Sequence, residues 1–426
     1  MSTISYTCPS CGAPLGYDAE SGKLLCAACQ SSYEIDSFEA PAAGEGVRFD
    51  LPTETFSRRE MAQMHAYICQ GCGAELMTDD TTTATECPYC GSPTVLPDQI
   101  ERGVRPQLVV PFVITKEQAQ KTFEDYFKGK RLMPNVFLNS RNRIADMRKL
   151  YVPYWLFDCA AGGAIAYNAE KRHTCREGEW EVTYIDHYIV ERAGGMIFEN
   201  IPVDGSEKLD NQITESLEPY DLSQAVPFSA AVLAGALADH ADVDAEVCQS
   251  RARERVESSV VDALRGTVGG YTSVSERSRN IFTKEGKITP VLMPVWLITT
   301  EKEGKVYTFA INGQTGALTC DVPPDTAKSL VWGFGTFALS MGLFTAALYM
   351  LEFLDGMMIA AAALFALIIA LFVVGTLMGQ LTTAESRKGA QEYAKPGSFE
   401  LSRRSDRFLY QTTHRQRIET QNNNKN

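Results

Sequence analysis

Eight of the twelve cysteines occur in four Cys-x-x-Cys pairs, a spacing that turns two sulfurs toward one metal ion. The pairs form two sets with the same internal spacing, and each cysteine of the second set follows its counterpart by 61 residues. The first set is Cys8, Cys11, Cys26 and Cys29, and the second is Cys69, Cys72, Cys87 and Cys90. Identities at the same offset, such as Tyr6 with Tyr67, indicate two copies of one module.

Four thiolates at this spacing predict tetrahedral zinc, with one ion in a zinc ribbon over residues 1–36 and one in a second ribbon over residues 67–98. A closed four-thiolate site leaves no open position on the ion, so we expect a structural role and not catalysis. About thirty residues bury too little core to fold alone, and metal binding would supply the folding energy. The alternatives are iron in a rubredoxin-like site and a dithiol redox pair. The gap of 14 residues between the pairs and the lack of a surrounding βαβ pattern count against both.

The charge of the modules bears on their partners. Residues 1–41 carry one basic side chain against five acidic ones, and residues 67–98 carry no basic side chain against five acidic ones. The whole segment 1–329 has a net charge of −15, which repels phosphate. We therefore expect protein contacts and regard nucleic acid as an unlikely partner. Residues 37–66 between the modules include a segment rich in Ala, Gly and Pro and are predicted to be a linker.

Two uncharged runs near the C-terminus predict a transmembrane hairpin. Residues 330–351 and 356–379 are each long enough to cross a lipid bilayer as a helix, and only residues 352–355 separate them. Lys328 precedes the hairpin and Arg387 follows it, so the positive-inside rule predicts a two-pass protein of the inner membrane with both termini cytoplasmic. No signal peptide is evident at the start, which agrees with thiols in a reducing compartment.

Small residues recur every four positions in the second span, at Ala362, Ala366 and Ala370. Such spacing lets helices approach closely. We expect packing within the hairpin, with homo-oligomerisation as the alternative. The tail, residues 380–426, has a net charge of +4 and should be attracted to anionic headgroups. The apolar sequence Phe-Leu-Tyr at 408–410 suggests that part of the tail packs against the rest of the protein.

Residues 105–322 are predicted to form a β-rich α+β domain with a helical insertion at about 223–265. Thr115 looks like the N-cap of a helix over 116–128. Pro-x-Trp-Leu occurs at 153–156 and again at 294–297, which suggests a weak duplication, and its tryptophans are expected in the core. The insertion is predicted to contain a short helix over 230–239 and a longer one over 242–264, with Cys248 on the buried face of the longer helix.

The sequence contains no phosphate-binding loop, no His-Glu-x-x-His and no Gly-x-Ser-x-Gly. We therefore predict that the chain is not an enzyme, and an enzyme of another kind in the central domain is the alternative. His173 and Cys175 form a weak half-site for a metal, and we do not expect it to bind one.

The order of these parts resembles a family of bacterial membrane-anchored zinc-ribbon proteins. The resemblance is carried by the paired ribbons, by Val-Pro-Tyr-Trp at 152–155, by Ile-Asn-Gly-Gln-Thr-Gly at 311–316 and by the hairpin. Such proteins are labelled as zinc-ribbon proteins of the transcription-factor type or as replication-restart helicases, although this chain has no ATPase motif. Some are associated with membrane stress, which implies that a membrane-anchored protein recruits soluble partners. We therefore expect a non-enzymatic adaptor for cytoplasmic proteins, and the alternative is a nucleic-acid protein of replication or transcription.

Overall fold

The structure, a computed structural model, is of mixed α+β class with one large sheet. The chain divides into two compact units, Met1–Phe49 and Asp50–Asn426. The residues that it describes are 15–18, 23–26, 28–33, 49–79, 87–90, 92, 95–98, 104–138, 147–233, 235–284, 286–302, 305–352, 355–381 and 383–417.

The helices of the described residues are numbered in chain order. They are α1 (Arg58–Met61), α2 (Lys116–Phe127), α3 (Asn135–Leu138), α4 (Asn211–Ser216), α5 (Ala245–Gly266), α6 (Thr326–Met350) and α7 (Gly356–Gly379). Short 3-10 turns lie at Leu222–Gln224, Ala230–Leu233 and Gln391–Tyr393.

The strands are numbered in the same way. They are β1 (Leu15–Asp18), β2 (Lys23–Cys26), β3 (Ser32–Tyr33), β4 (Phe49–Asp50), β5 (Met64–Cys69), β6 (Glu75–Asp79), β7 (Val95–Asp98), β8 (Leu108–Val109), β9 (Arg148–Glu177), β10 (Trp180–Asp204), β11 (Val226–Pro227), β12 (Leu237–Asp239), β13 (Ser273–Thr283), β14 (Gly286–Lys302), β15 (Lys305–Asn312), β16 (Leu318–Cys320) and β17 (Glu400–Arg417).

The first unit contains a small antiparallel sheet in the order β1-β2-β3. Its register places Leu15 opposite Cys26 and Leu24 opposite Tyr33.

The long strand β9 organises the second unit. Its first third pairs with β14 and also with β12, and its remainder pairs with β10 on one side and β13 on the other. The strands β5, β6 and β7 extend the same sheet, because β6 pairs with β12. The segment predicted as the second ribbon therefore shares a sheet with the predicted central domain. Residues 58–66, which were predicted to lie in the linker, form α1 and the beginning of β5.

The duplication suggested by the Pro-x-Trp-Leu repeat is visible in the pairing of β9 with β14. Val152 and Met293, which are equivalent in the two repeats, lie directly opposite each other in antiparallel strands. A local two-fold axis therefore passes through this pair. A short parallel strand joins each copy at the equivalent position, β12 beside Tyr151 and β8 beside Leu292.

Both repeat tryptophans lie in the core, as predicted, and they make equivalent hydrogen bonds across the axis. The indole N–H of Trp155 donates to the carbonyl of Val243 at 2.9 Å, just before α5. The indole N–H of Trp296 donates to the carbonyl of Ile114 at 3.1 Å, just before α2. One half of the duplicated domain consists of β8, α2, β9 and β10, and the other consists of β12, α5, β14 and β15. The tryptophan of each half thus binds the segment before the helix of the other half.

Two glycines occupy equivalent turns after β10 and β15. The N–H of Gly205 donates to the carbonyl of Pro153 at 2.9 Å, and that of Gly313 donates to the carbonyl of Pro294 at 2.8 Å. A Cβ at Gly205 would lie 2.8 Å from the indole nitrogen of Trp155, and one at Gly313 would lie 2.6 Å from the ring of Phe112. These close approaches explain why both turns require glycine.

The helices on this sheet largely follow the sequence pattern. The predicted capping box of α2 is present, with the Thr115 hydroxyl accepting from the Gln118 N–H. Helix α5 covers most of the predicted 242–264 segment, and Cys248 is buried on it. The short helix predicted over 230–239 is wrong. A 3-10 turn is followed there by the strand β12, whose Ala238 pairs with both β6 and β9.

Helices α6 and α7 pack against each other as a hairpin and are long and apolar enough to cross a membrane. The second lies where predicted, while the first begins at Thr326, four residues earlier than predicted, capped by Asp325. The buried residues of α7 are Ala362, Ala366 and Ala370, so the small side chains pack within the hairpin.

The C-terminal tail is more ordered than the sequence suggested. After the hairpin, Arg387 donates to the backbone carbonyls of Glu215 and Glu218, which ties this segment to the domain. The strand β17 then pairs antiparallel with β10 from Gly195 to Trp180. The docking predicted for residues 408–410 is therefore part of an 18-residue edge strand.

Candidate metal centre

The first pair of the second cysteine set lies where β5 turns into β6. Cys69 ends β5, and its N–H donates to the carbonyl of Ala74 at 2.9 Å. The N–H of Gly73 donates back to the carbonyl of Cys69 at 2.8 Å. Gly73 has a φ of +70°, a conformation that L side chains adopt rarely, so this turn requires the glycine. The closed turn directs the Cys69 and Cys72 side chains toward the second pair.

The second pair forms a turn of the same kind. The N–H of Cys87 donates to the carbonyl of Ser92 at 2.9 Å. A Cβ at Gly71 would lie 3.2 Å from the Cβ of Ser92 and 3.4 Å from the sulfur of Cys90, so the two turns touch at this point. Their contact brings the cysteine pairs face to face.

The four sulfurs of Cys69, Cys72, Cys87 and Cys90 form one compact group. All of them lie within 4.8 Å of one another. Cys69 and Cys90 are 3.6 Å apart, sulfur to sulfur, and so are Cys72 and Cys87. Sulfurs about 2.3 Å from a tetrahedral zinc ion are about 3.8 Å from one another. The group therefore has the size of a four-thiolate metal site, and it could hold one metal ion.

The thiols differ in how readily they ionise without an ion. Burial raises the pKa of Cys72 to about 11, and burial raises that of Cys87 further. Burial opposes ionisation of Cys69 too, but N–H groups of Cys72 and Gly71 that face its sulfur lower its pKa to about 7. Four adjacent thiolates need a cation, so metal binding at this site must release protons.

The metal group is joined to the large sheet through Tyr89, which lies between two of the cysteines. The Tyr89 hydroxyl donates to Oδ2 of Asp239 at 2.5 Å, and the Ser206 hydroxyl donates to the same oxygen at 2.5 Å. Burial raises the pKa of the Asp239 carboxyl to about 7, while these two donors act in the opposite direction. Lys208 completes the contact by donating to the carbonyl of Cys72 at 3.4 Å.

Sequence reasoning missed this supporting layer. Asp239 and Ser206 carry no recognisable spacing, and the segment around Asp239 was predicted to be helical. The available signal was the tyrosine inside the Cys-x-x-Cys turn, since a buried tyrosine hydroxyl needs a partner.

The first cysteine set cannot be placed in the same way. Cys8 and Cys11 lie outside the described residues, and only the backbone of Cys26, at the end of β2, is described. Cys29 is exposed, and its sulfur lies 3.2 Å from the hydroxyl of Ser31. The zinc site predicted at the first cysteine set therefore remains a prediction.

The weak metal half-site at His173 and Cys175 lies apart from the four-cysteine group. His173 lies in β9 and stacks on Tyr184 with ring centroids 5.0 Å apart. Cys175, two residues further along the same strand, is exposed. Within the described ranges, they belong to no group of three metal-ligating side chains.

The chain is similar to a known bacterial protein. The chain is 33% identical over 333 residues to YdjG, an uncharacterized protein of Bacillus subtilis (strain 168). The alignment covers 78% of this chain and 94% of YdjG. No protein-family model matches the chain, and no solved structure matches it.

Proposed function

The chain belongs to the same family as YdjG of Bacillus subtilis, and we propose that it is a membrane-anchored, metal-stabilised adaptor that recruits cytoplasmic proteins to the inner face of the membrane. The observation that carries this proposal is the combination of a closed four-sulfur group and a helical hairpin on one domain. A role in membrane stress, implied by the resemblance of the sequence, would be one use of such an adaptor.

The metal part of the proposal is a structural zinc ion at Cys69, Cys72, Cys87 and Cys90, and a second ion at the first set. Four thiolates fill a tetrahedral zinc ion and leave no position for a substrate. Two of the four cysteines, Cys69 and Cys87, are buried in the same hydrophobic core as Leu150 and Val295 of the large sheet. An ion held there would stabilise a surface without taking part in a reaction.

The anchoring part is supported by α6 and α7. With 25 and 24 residues, each helix is about 36 Å long, more than the hydrocarbon core of a bilayer. Lys328 lies at the start of the hairpin, and the turn between the helices contains Asp355. The positive-inside rule then places both ends of the hairpin, and with them the domain, in the cytoplasm.

The topology is tested by adding one exposed cysteine at a time to the otherwise unchanged chain and labelling intact cells with a membrane-impermeant thiol reagent, with the unchanged chain as the background. A cysteine at Asp355→Cys should react from outside, and the matched control Gln63→Cys, on the exposed side of the domain, should react only after lysis. Labelling of the control in intact cells together with protection of the turn would invert the topology.

The recruiting role is tested by crosslinking in cells and identification of partners in the membrane fraction. Wild-type protein should yield a defined soluble protein at the membrane. The Cys72→Ser/Cys90→Ser variant should lose it while remaining in the membrane, and the exposed-thiol control Cys175→Ser should keep it. Equal recovery with all three proteins, or no enrichment over a chain of unrelated sequence on the same hairpin, would contradict the proposal.

A nucleic-acid role is the second candidate, and one observation favours it. The edge strand β17 carries five arginines against two acidic residues, with Phe408 and Tyr410 more than half exposed on it. Basic side chains interleaved with aromatic ones are typical of nucleic-acid contacts. Single-stranded DNA or RNA binding that weakens steeply with salt, and that the Arg404→Gln/Arg407→Gln variant loses, would favour this candidate.

A further inference from the structure

A loop far from the hairpin in sequence lies against the hairpin's base. After α2, the ammonium group of Lys130 donates to the backbone carbonyl of Gln380, the residue that follows the last turn of α7. The hydroxyl of Tyr126 donates to the carbonyl of Leu381. The end of α2 and the loop after it therefore lie at the level where α7 leaves the apolar segment.

The same loop reaches the other helix of the hairpin. The guanidinium carbon of Arg131 lies 4.6 Å from the centroid of the Trp332 ring in α6. One turn earlier, the ammonium group of Lys328 donates to the carbonyl of Met133 at 2.6 Å and to the side-chain oxygen of Asn135 at 2.7 Å. Three basic side chains thus surround the ends of α6 and α7, and we refer to Lys130, Arg131 and Lys328 as the basic collar.

The charge around the collar is unbalanced. Residues 128–138 contain three basic side chains and no acidic one. Of the acidic groups nearby, Asp325 accepts from the backbone N–H of Lys328 at the start of α6, and Asp125 pairs with Lys128. The hydrogen bonds of Lys130 and Lys328 go to uncharged oxygens, so they leave the positive charge without a paired carboxylate at those contacts.

The position of Trp332 indicates the depth of the basic collar in the membrane. It lies in the second turn of α6, where a transmembrane helix commonly places an aromatic side chain at the headgroup level. In α3, Val136 follows the Asn135 that Lys328 contacts and is 39% exposed, which leaves an apolar side chain near the basic ones. A cationic and partly apolar surface at this depth matches the chemistry of an anionic phospholipid headgroup better than that of a soluble protein.

We propose that the basic collar binds the headgroups of anionic phospholipids in the cytoplasmic leaflet and so fixes the orientation of the domain on the membrane. This inference rests on the proposed membrane anchoring. The hairpin supplies the attachment, and the collar supplies the preference for lipid charge. The expected site differs from the one suggested by the sequence, because the collar comes largely from residues about 200 positions before the hairpin and not from the basic tail.

The test uses full-length protein in phosphatidylcholine vesicles that contain phosphatidylglycerol. Fluorescence of Trp332 is measured with bromine quenchers either on phosphatidylglycerol or on the same mole fraction of phosphatidylcholine, and the Trp332→Phe protein gives the background of the other tryptophans. We expect quenching by the brominated anionic lipid to be about threefold stronger. The variants Lys130→Gln/Arg131→Gln and Lys328→Gln should each reduce this excess. The control variant Arg277→Gln, at an exposed position of β13, should retain it.

The outcomes separate the two proposals. Equal quenching by both brominated lipids in the wild type, or an excess that survives in both collar variants, would overturn the collar while the anchoring stands. An absence of quenching by either lipid would overturn the anchoring, and the collar with it. Added salt should weaken the excess for the anionic lipid, since the interaction is electrostatic.

Discussion

The half of the duplicated domain that contains β12 and α5 is joined to the metal group, whereas the half that contains β8 and α2 is joined to the apolar hairpin. In the first half, β12 pairs with β6 and carries Asp239, the acceptor for Tyr89. In the second half, the end of α2 contacts Leu381 and the loop after α2 contacts Gln380, both just beyond α7. The metal group and the hairpin are thus attached to different elements of the duplicated domain.

Features that occur in both halves indicate which positions the fold itself requires. The tryptophan-to-carbonyl hydrogen bonds and the two glycine turns occur in both halves, so they serve the fold. The residue before each glycine differs. Asp204 is a carboxylate bound by Arg251 at 2.8 Å, while Asn312 is an amide that donates to the carbonyl of Leu217 at 2.6 Å. The position before the glycine thus holds a charged group in one turn and an uncharged group in the other.

The largest expected effect comes from removing the metal ligands, which should destabilise the half with β12 and leave the half with α2 little changed. Cys69→Ser/Cys87→Ser deletes the two buried thiols, and loss of a structural ion forfeits on the order of 10 kcal/mol of binding free energy. Hydrogen exchange should show loss of protection in β5, β6 and β12, with α2 and the hairpin little changed. Cys175→Ser is the control for a thiol change outside the group. Unchanged protection in β12 would show that the metal half does not depend on an ion.

A smaller effect is expected from a buried ion pair that belongs to the α5 half. Arg255 bonds Glu218 through two nitrogens at 3.0 and 2.7 Å, and both side chains are nearly inaccessible. Arg255→Met removes two guanidinium hydrogen bonds from the buried Glu218 carboxylate, which keeps the Tyr393 hydroxyl at 2.7 Å and the Arg387 guanidinium at 3.9 Å. This variant should lower the free energy of unfolding by about 3 kcal/mol, measured by urea denaturation in detergent.

The controls for this pair are one exposed arginine and one double variant. Arg279→Gln removes the exposed pairs with Glu276 and Glu257 and should lower the free energy of unfolding by less than about 1 kcal/mol. Arg255→Met/Glu218→Leu should recover part of the loss, because neither charge of the pair remains, while Arg387 and the Tyr393 hydroxyl lose Glu218 as a partner. A double variant as unstable as the single one would mean that packing, and not the charge left on Glu218, dominates.

Equal effects in the two halves are expected for the repeat tryptophans. Trp155→Phe and Trp296→Phe each remove one indole hydrogen bond and some buried ring area, and each should cost about 2 kcal/mol in the free energy of unfolding. The two values are compared by denaturation under one set of conditions. A difference of more than about 1 kcal/mol would argue against the equivalence of the two halves.

The smallest effect should be confined to the metal half. Tyr89→Phe removes the hydroxyl that bonds Asp239 and should cost about 1 kcal/mol. Zinc should remain bound, since the four sulfurs are unchanged, and competition with a chelator measures this. Complete loss of the ion from this variant would mean that Tyr89 holds the cysteine turn in place.

The cysteine group and the hairpin were predictable because their signals are local. Cys-x-x-Cys spacing fixes which sulfurs can meet, and an uncharged run fixes the length and polarity of a helix. The strand β12 was missed because Leu237 and Ala238 suit a helix as well as a strand, and only pairing with β6 and β9 decides between them. The pairing of β17 with β10 was missed for a related reason, since the two strands are about 200 residues apart and no local pattern records their contact.

The central claim is that one polypeptide joins a structural metal group to a membrane-spanning hairpin, and the metal-to-protein ratio of the chain in alkaline-washed membranes tests it most directly. The account predicts that the full-length chain stays in the membrane pellet with about two zinc ions per chain, and that Cys69→Ser/Cys87→Ser lowers this to about one. Release of the chain into the wash, or retention of a chain without zinc, would contradict it.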